Sequence, residues 1–278
     1  MCNKWYDPII DKWNFGPKMN TIRHRVCAAL VTDNLVFAVG GLDDDATEPL
    51  SSVDVLDLSL ESLCWKQSVE MLVERHCLGV GVIDNYLYAV GGYNNSNLAL
   101  DNAEVFDNNT QEWRIISSMS TARSDLGVGV LNNLLYADLF ATPQFNFLVL
   151  IHGHQSQKCL KCQKCREGVG VGVLDGLLYA VGGKDGSKTL SSVEAYRPST
   201  GVWSTIVDMH KPRKRAGVVV LNGLLYVIGR IDDTFFVRST EFYSPETKTW
   251  TIVEASQDFL HSSASVVAIN SLRHFNTY

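Results

Sequence analysis

One short phrase recurs along the chain and constrains the fold more than any other feature of the sequence. It reads DNLVFAVGG from residue 33, DNYLYAVGG from 84, DGLLYAVGG from 175 and NGLLYVIGR from 222, and a shortened copy, NNLLYA, begins at 132. The aromatic residue of the phrase falls at Phe37, Tyr88, Tyr136, Tyr179 and Tyr226, so successive copies are 51, 48, 43 and 47 residues apart. Such a period indicates a chain built from repeated supersecondary units.

A second phrase follows most copies of the first and ends in tryptophan. Its copies are VDVLDLSLESLCW, AEVFDNNTQEW, VEAYRPSTGVW and TEFYSPETKTW, with the tryptophans at Trp65, Trp113, Trp203 and Trp250. Each full repeat therefore predicts four short strands: two apolar strands joined by a tight turn, one alternating strand, and a polar outermost strand that begins at the tryptophan. The tryptophan is expected to pack between neighbouring sheets, and the Gly-Gly pair to allow a close approach of backbone.

Four-stranded units at this period predict an all-β chain folded as a β-propeller. The Gly-Gly pair with a later tyrosine and tryptophan resembles the kelch motif, and the segment GLLYAVGGKDGSKTLSSVEAYRPSTGVWSTIVDM from residue 176 shows the resemblance best. Residues 4–137 and 166–270 are most similar to the kelch domains of the BTB-kelch (kelch-like) family. The resemblance implies a six-bladed kelch β-propeller with one split closing blade and a degenerate third blade.

The repeat boundaries predict a single domain over residues 1–278. The blades are expected at about 21–72, 73–120, 121–165, 166–210 and 211–258, with a partial closing blade formed by 1–20 and 259–278. NKWYDPIIDKW at 3–13 is similar to the back half of a repeat, and HSSASVVAIN at 261–270 to a front half. Neither end supplies the second strand of the closing blade, so we expect a piece of a longer protein, without the BTB and BACK domains of the family.

The third repeat is interrupted between residues 138 and 165. This stretch contains HGHQSQKCLKCQKC, in which Cys162 and Cys165 have the C-x2-C spacing of a zinc knuckle, Cys159 adds a thiol, and His152 or His154 adds an imidazole. A zinc site is one interpretation. We favour the other, in which the cysteines are incidental and no cofactor is bound, because the ligands lack the spacer that usually separates two pairs. FNFLVLI, just upstream, can still form a strand that fills the vacated place in the sheet.

Several functional classes find no support in the sequence. It contains no G-x-S-x-G, H-E-x-x-H or glycine-rich phosphate loop, so we expect a protein that is not an enzyme. The formal net charge of −6 argues against nucleic-acid binding. The sequence has no run of 18 apolar residues, so it predicts no membrane span. Of the seven cysteines, Cys27 and Cys77 lie in apolar runs, which is typical of reduced thiols in a cytoplasmic protein.

An arginine stands at the same place in every repeat. The five are Arg23, Arg75, Arg123, Arg166 and Arg213. One interpretation is a cationic ring on one face of the propeller that binds a carboxylate-rich or phosphorylated segment. The other is structural, with each arginine paired to an acidic residue of its own or a neighbouring blade.

Residues that differ between repeats are better candidates for specificity, because loops on a rigid scaffold carry binding residues. The family resemblance implies a binding face formed by two sets of loops. One set follows the repeated arginines and contributes His24, His76, Ser124 and Lys214; the other follows the Gly-Gly pairs and contributes Tyr93, Asn94, Lys184 and Arg230. Tyr93 is the leading candidate, since a large amphipathic side chain in a loop is typical of a binding hot spot.

The resemblance implies a protein-binding function. Kelch domains of this family recruit a protein substrate to a cullin-type ubiquitin ligase, which the BTB domain binds, so the chain is expected to be a substrate-recognition module with a protein partner that presents an acidic peptide. Two alternatives stay open: an actin-binding, cytoskeleton-associated scaffold, and a truncated fragment that binds substrate without delivering it.

Overall fold

All regular secondary structure in the described residues of the chain is β-strand. A computed structural model describes residues 4–7, 12–137, 148–151, 166–229, 239–253 and 265–269. It contains 25 strands in these ranges and no helix, which confirms the all-β prediction. A membrane-spanning helix is accordingly not found among them.

The strands are short, as the tight repeats require. They are β1 Lys4–Asp7, β2 Lys12–Phe15, β3 Arg23–His24, β4 Cys27–Val31, β5 Leu35–Val39, β6 Leu42–Asp43, β7 Val53–Asp57, β8 Trp65–Gln67, β9 Gly79–Ile83, β10 Tyr86–Val90, β11 Ala103–Asp107 and β12 Glu112–Ile116. They continue as β13 Val128–Leu131, β14 Leu134–Ala137, β15 Leu148–Ile151, β16 Gly170–Leu174, β17 Leu177–Val181, β18 Lys184–Asp185, β19 Lys188–Thr189, β20 Val193–Arg197, β21 Val202–Thr205, β22 Gly217–Leu221, β23 Leu224–Ile228, β24 Thr240–Ser244 and β25 Thr249–Val253.

Four repeats form the expected four-stranded antiparallel sheets. Blade 1 has the order β4-β5-β7-β8, blade 2 β9-β10-β11-β12, blade 4 β16-β17-β20-β21 and blade 5 β22-β23-β24-β25. The strand that begins near the tryptophan is outermost in each. In blade 2, for example, Tyr88 pairs with Gly81 of the inner strand and with Val105 of the third strand. The predicted arrangement of strands within a repeat is therefore confirmed for these four blades.

The third repeat forms a three-stranded sheet in the described residues, with the order β13-β14-β15. Strand β15 comes from the interrupting segment and pairs antiparallel with β14, with Tyr136 opposite Val149. The prediction that FNFLVLI supplies a replacement strand is confirmed at the level of backbone pairing. The two first strands of the repeat thus keep their neighbour even though the glutamate and tryptophan phrase is lost.

The inner strands surround a central channel in chain order. Its cavity has a volume of about 230 Å³ and is lined by six stretches of chain, 25–28, 77–80, 125–128, 168–171, 215–218 and 265–266. The first five belong to blades 1 to 5, and neighbouring inner strands contact each other in the order β4, β9, β13, β16, β22. This arrangement is that of a β-propeller.

Residues 265–269 lie beside blade 1, and residues 265–266 line the channel. The backbone N–H of Ala28 donates a hydrogen bond of 2.6 Å to the Ser265 hydroxyl, and Val267 and Ile269 pack on the cluster that contains Val36. Strands β1 and β2 form an antiparallel pair at the other end of the chain, as expected for the back half of a repeat.

The predicted tryptophans form the packing between blades. Trp113 of blade 2 is 8% exposed and its indole N–H donates to the carbonyl of Val69, which belongs to the loop that follows blade 1. Trp250 of blade 5 does the same to Val207, at 2.8 Å. The ring of Trp113 also lies 5.2 Å from that of Phe106. The expectation that the tryptophans pack between neighbouring sheets is confirmed for these blades.

Candidate functional site

Two sets of loops lie together on one side of the propeller. In blade 1 the loop 41–52 contacts the loop 68–76, since the N–H of Gly41 donates to the Arg75 carbonyl at 3.0 Å. The loop pairs 91–102 with 117–125 and 183–192 with 206–216 are joined in the same way, through Gly92 to Arg123 and Gly183 to Arg213, both at 2.7 Å. We call this side the loop face. The tight hairpin turns, such as 84–85 and 175–176, lie on the opposite side.

The Gly-Gly pairs make this close contact possible. Gly40 has φ of +60°, and a Cβ added there would lie 2.4 Å from the Arg75 carbonyl oxygen. At Gly182 the corresponding distance to the Arg213 oxygen is 2.1 Å. The glycines therefore allow close approach as predicted, but they approach the loop that leads to the next blade rather than another strand.

The five repeated arginines are buried inside the blades. Their exposed fractions are 1% for Arg23, 0% for Arg75, 4% for Arg123, 1% for Arg166 and 0% for Arg213. Side chains so covered cannot present a cationic ring to a partner, which corrects the first interpretation of this repeat. The geometry matches the structural alternative.

Blade 2 shows how each arginine is used. One guanidinium nitrogen of Arg75 donates to the carbonyl of Gly91 at 2.8 Å, and the other donates to Asn102 Oδ1 at 2.7 Å and to Glu104 Oε1 at 2.6 Å. The Glu104 carboxylate also accepts hydrogen bonds from the backbone N–H groups of Leu72 and Val73. The Arg75–Glu104 pair thus fastens the loops 68–76 and 91–102 to the third strand of the blade.

Three other blades repeat the pair. Arg23 donates to Asp54 at 2.9 Å, Arg166 to Glu194 at 2.8 Å and Arg213 to Glu241 at 3.0 Å. Burial lowers the pKa of the Arg23 and Arg213 guanidinium groups, while the neighbouring carboxylates oppose that shift. Buried charges require such partners because their desolvation is costly.

Arg123 lies in the interrupted blade, where the repeated carboxylate is missing from the sequence. It donates to the Ala137 carbonyl at 3.4 Å and to the Thr121 hydroxyl at 3.2 Å. Arg230 and the zinc candidates lie outside the described residues; the latter are His152, Cys159, Cys162 and Cys165. Within the described ranges, no three His, Cys, Asp or Glu side chains are grouped so that they could hold a metal ion.

The variable residues after the arginines differ in exposure. His24 is half-buried and its Nδ1 lies 2.6 Å from Asp44 Oδ1, whereas His76 is only 4% exposed. Ser124 and Lys214 are half-buried on the loop face, as is Lys184, which lies in the other set of loops. His76 is therefore less available to a partner than the sequence suggests.

Tyr93 is half-buried on the loop face, in a loop held by its own hydrogen bonds. Its backbone pairs with that of His76, and the two rings are 5.4 Å apart. Asn94 accepts a hydrogen bond from the Leu98 N–H at 3.0 Å, so it shapes the loop rather than pointing freely into solvent. Leu98 in the same loop is 62% exposed and Leu72 in the preceding one 60%. Neither leucine is predicted as a site residue from the sequence, although a large apolar residue within a polar loop is a signal for one.

The mouth of the channel is formed by the residues two positions after the repeated arginines. These are Arg25, Cys77, Asp125, Gly168 and Arg215, and all five have positive φ. Their backbones are linked, since Cys77 donates to the Arg25 carbonyl, Asp125 to that of Cys77 and Arg215 to that of Gly168. Arg215 also forms an ion pair with Asp125. Sequence reasoning missed this set because its members share a backbone conformation and not a residue type.

Comparisons with known proteins place the chain in a family. The family model described as "Kelch motif" matches residues 27–72, 74–120, 165–210 and 212–255, which is more than half of the chain. The chain therefore belongs to the kelch-repeat family, and the resemblance expected from the repeats is confirmed.

Three relatives illustrate the range of similar proteins. An F-box/kelch-repeat protein of Arabidopsis thaliana is 36% identical over 34% of the chain, Kelch-like protein 41b of Danio rerio 33% over 33%, and alpha-scruin of Limulus polyphemus 26% over 42%. The matched regions span 24%, 15% and 13% of the lengths of these relatives. The similarity thus concerns the kelch repeats and not the whole of any relative.

Proposed function

We propose that the chain is a protein-binding module that engages its partner with the loop face. The observation that supports this most directly is that the half-buried Tyr93 and the exposed Leu98 and Leu72 lie on loops held by backbone hydrogen bonds. Aromatic and large apolar side chains on a preorganised surface are typical of binding hot spots. The function needs no catalytic group.

We further infer that the full propeller has six blades and that it recognises the substrate of a cullin-type ubiquitin ligase. The six stretches around the channel support the first inference. The second rests on the resemblance to the BTB-kelch proteins and on the match to Kelch-like protein 41b. In such an assembly a BTB domain binds the cullin, and the kelch domain supplies specificity. The chain acts in the cytoplasm, where its cysteines stay reduced.

Quantitative affinity capture tests the binding face. The wild-type chain, the double variant Tyr93→Ala/Leu98→Ser, and the control Thr110→Ala, which changes an exposed turn on the hairpin side, are used as baits. Proteins retained by the wild type and the control but reduced about tenfold or more by the double variant are partners of the loop face, as expected when a hot spot is removed. Equal retention by all three baits would place the partner elsewhere.

A ubiquitination assay tests the finer assignment. The chain is fused to a cullin-binding BTB domain, and a protein captured through the loop face is offered as substrate to the assembled ligase. We expect ubiquitin chains on that protein with the wild-type fusion and not with the Tyr93→Ala/Leu98→Ser fusion. A captured protein that is never modified would argue against the ligase role while leaving the binding role intact.

The second candidate is a cytoskeletal scaffold, which the kelch repeats and the match to alpha-scruin leave open. Cosedimentation with filamentous actin distinguishes it from the first. Binding to filaments that the double variant does not weaken would favour the scaffold.

A further inference from the structure

The loop face carries opposite charges on its two sides, beginning with an acidic side at blade 1. The loops 41–52 and 68–76 contain Asp43, Asp44, Asp45, Glu48, Glu70 and Glu74, and their one arginine or lysine, Arg75, is buried against Glu104. We call this group the acidic sector. Asp44, Asp45, Glu48 and Glu70 are exposed.

Hydrogen bonds hold the acidic sector in place. Asp43 Oδ1 accepts from the N–H groups of Asp45 and Ala46, and the Asp44 N–H donates to the carbonyl of Ile22 at 3.0 Å. The N–H of Met71 in the second loop donates to the carbonyl of Ser51 in the first, at 2.9 Å. The carboxylates are thus displayed by rigid loops, so a partner would meet them without first ordering the backbone.

The loops that flank blade 4 have the opposite charge. The loops 183–192 and 206–216 contain Lys184, Lys188, Lys211, Arg213, Lys214 and Arg215, against Asp185 and Asp208. Arg213 is buried on Glu241, and the exposed cations are Lys188 and Lys211. We call this group the basic sector.

The two sectors lie on opposite sides of the channel. The six stretches that line it follow chain order, so blade 4 is three positions from blade 1 in either direction. Both sectors belong to loop pairs that are joined by the same backbone hydrogen bonds, from Gly41 to Arg75 and from Gly183 to Arg213. They therefore face the same way, with the channel mouth between them.

Two polar groups, Arg25 at the mouth and His76 directly before the mouth residue Cys77, are left without partners in the described part of the chain. The Arg25 side chain is exposed, lines the channel, and forms no hydrogen bond or ion pair there. His76 is buried, with an exposed fraction of 4%, and its Nδ1 has no hydrogen-bond partner. Burial lowers the pKa of the His76 imidazole, the nearby charge of Arg25 lowers it further, and the charge of Asp125 opposes the shift. Buried polar atoms are normally satisfied, so an unpaired one beside a channel mouth indicates a place for a ligand.

We propose that the partner of the loop face is a dipolar protein segment that crosses the channel mouth, with basic residues over the acidic sector and acidic residues over the basic sector. This inference rests on the proposed function and narrows it. A uniformly acidic segment long enough to cross the face would meet repulsion from Asp44, Asp45 and Glu48, whereas a segment of opposite polarity at its two ends is attracted at both. The partner would bind through two weak contacts that reinforce each other because they are linked.

The test uses synthetic peptides as probes. One has an arginine-glycine block at one end and a glutamate-glycine block at the other, and a second has the same composition with the two charges alternating. A third carries glutamate and glycine only. Fluorescence anisotropy at low salt is expected to show that the block peptide binds the whole chain about tenfold or more tightly than either of the others, because only it satisfies both sectors at once.

Charge-neutral variants identify the sectors. Asp45→Asn/Glu48→Gln and Lys188→Gln/Lys211→Gln should each weaken the block peptide by about tenfold, while the control Lys66→Gln/Glu112→Gln, which changes exposed residues near the outer strands, should leave it unchanged. Amide NMR spectra of the variants report whether the fold is kept. Equal binding of block and alternating peptides, or insensitivity to both sector variants, overturns the proposal.

A directional measurement completes the test. With a spin label on its arginine end the block peptide should broaden the amide signals of Asp45 and Thr47, and with the label on its glutamate end those of Lys188 and Lys211. If the glutamate-only peptide binds the loop face as tightly as the block peptide and ignores Asp45→Asn/Glu48→Gln, the loop face is a binding site but the dipolar partner is wrong. If no probe affects any loop-face amide, the proposal of a charge-guided partner fails, while the capture experiment with Tyr93→Ala/Leu98→Ser decides independently on the loop face.

Discussion

A buried arginine and a buried carboxylate are used as a structural pair in blade after blade. In blade 2 both Arg75 and Glu104 are fully covered, and the carboxylate is shared with two backbone N–H groups. Such a pair adds little net stability compared with an apolar one, but removal of one partner leaves an uncompensated charge in the interior. The pair therefore serves to hold two loops in position above the blade.

Replacement of the carboxylate should be costly. Glu104→Ala leaves the Arg75 guanidinium buried without its counter-charge and frees the N–H groups of Leu72 and Val73, so we expect the free energy of unfolding to fall by about 3–5 kcal/mol. Urea denaturation measures it. Glu112→Ala, at an exposed position of the same blade, is the control and should change stability by no more than about 0.5 kcal/mol. Equal effects of the two variants would show that the ion pair is not needed.

The cysteines of the described residues should differ in reactivity. Burial raises the pKa of the Cys27 thiol to about 12 and also raises that of Cys77, whereas Cys64 is exposed. Because the thiolate is the reactive form, iodoacetamide at about pH 8 should label Cys64 well before the other two. Peptide mass mapping over a time course gives the order. Labelling of Cys27 as fast as Cys64 would mean that the channel wall opens readily.

Inner strands pack by matching a glycine to a valine. A Cβ on Gly79 would lie 2.3 Å from Val128 of the next blade, on Gly127 2.5 Å from Val171, and on Gly170 2.4 Å from Val218. The close packing of the inner strands explains the near-continuous small and apolar residues of GVGVL and its copies. The segment 265–269 departs from this rule, because Ser265 stands beside Ala28. Ser265 is larger than the glycine of the other interfaces and Ala28 is smaller than their valine, so the two differences in size offset each other.

A double-mutant cycle tests this exchange of size. Ala28→Val should clash with the Ser265 side chain and cost about 1–3 kcal/mol, and Ser265→Gly should lose the hydrogen bond to the Ala28 N–H and cost about 1 kcal/mol. The double variant restores the glycine–valine match of the other interfaces, so its cost should be smaller than the sum by at least about 0.5 kcal/mol. Additive costs in chemical denaturation would show that the two positions do not contact each other as described.

The whole molecule depends on closure of the ring, because every inner strand needs a neighbour on both sides. Residues 265–266 form the sixth stretch that lines the channel, next to blade 1, and Val267 packs on the cluster around Val36, Leu56 and Trp65. The stability of stacked repeats is a sum of unit and interface contributions, and loss of one interface weakens both neighbours.

A disruptive substitution in residues 265–269 should therefore lower the stability of the neighbouring blades as well. Val267→Asp places a charge against an apolar cluster, so the free energy of unfolding should fall by about 2 kcal/mol or more. Hydrogen exchange should increase in blades 1 and 5 together, at strands β4 and β22. Val202→Asp, in the exposed outer strand of blade 4, serves as the control. A loss of protection confined to residues 265–269 would contradict the expected role of this segment in closing the ring.

Local patterns account for most of the fold. Turn residues and apolar runs predicted four strands per repeat and their order, because these properties depend on neighbours within one repeat. The packing of the tryptophan between sheets followed from the size of its side chain. The replacement strand in the third blade followed from the β-propensity of FNFLVLI. These predictions needed no knowledge of how the blades are arranged.

The candidate site was harder to predict. The sequence supports a cationic ring and internal ion pairs equally, because an arginine just before a glycine-rich strand fits both arrangements. Their burial depends on the carboxylate 28 to 31 residues downstream, as in Arg23 with Asp54 and Arg166 with Glu194. Leu98 was missed because exposure is not encoded locally, and the mouth residues Arg25 and Arg215 were missed because their set shares a backbone conformation and not a residue type.

The sequence by itself determined the repeat, the strands within it and membership of the kelch family, since each follows from spacing and from contacts between residues less than about 30 positions apart. Only the tertiary structure decided which charged side chains are buried in ion pairs inside the blades and which remain on the loop face. It also brought together an acidic sector at residues 41–76 and a basic sector at 183–216, on opposite sides of one channel. The arrangement of the blades around the channel places the two sectors, and it joins residues as far apart as Ala28 and Ser265.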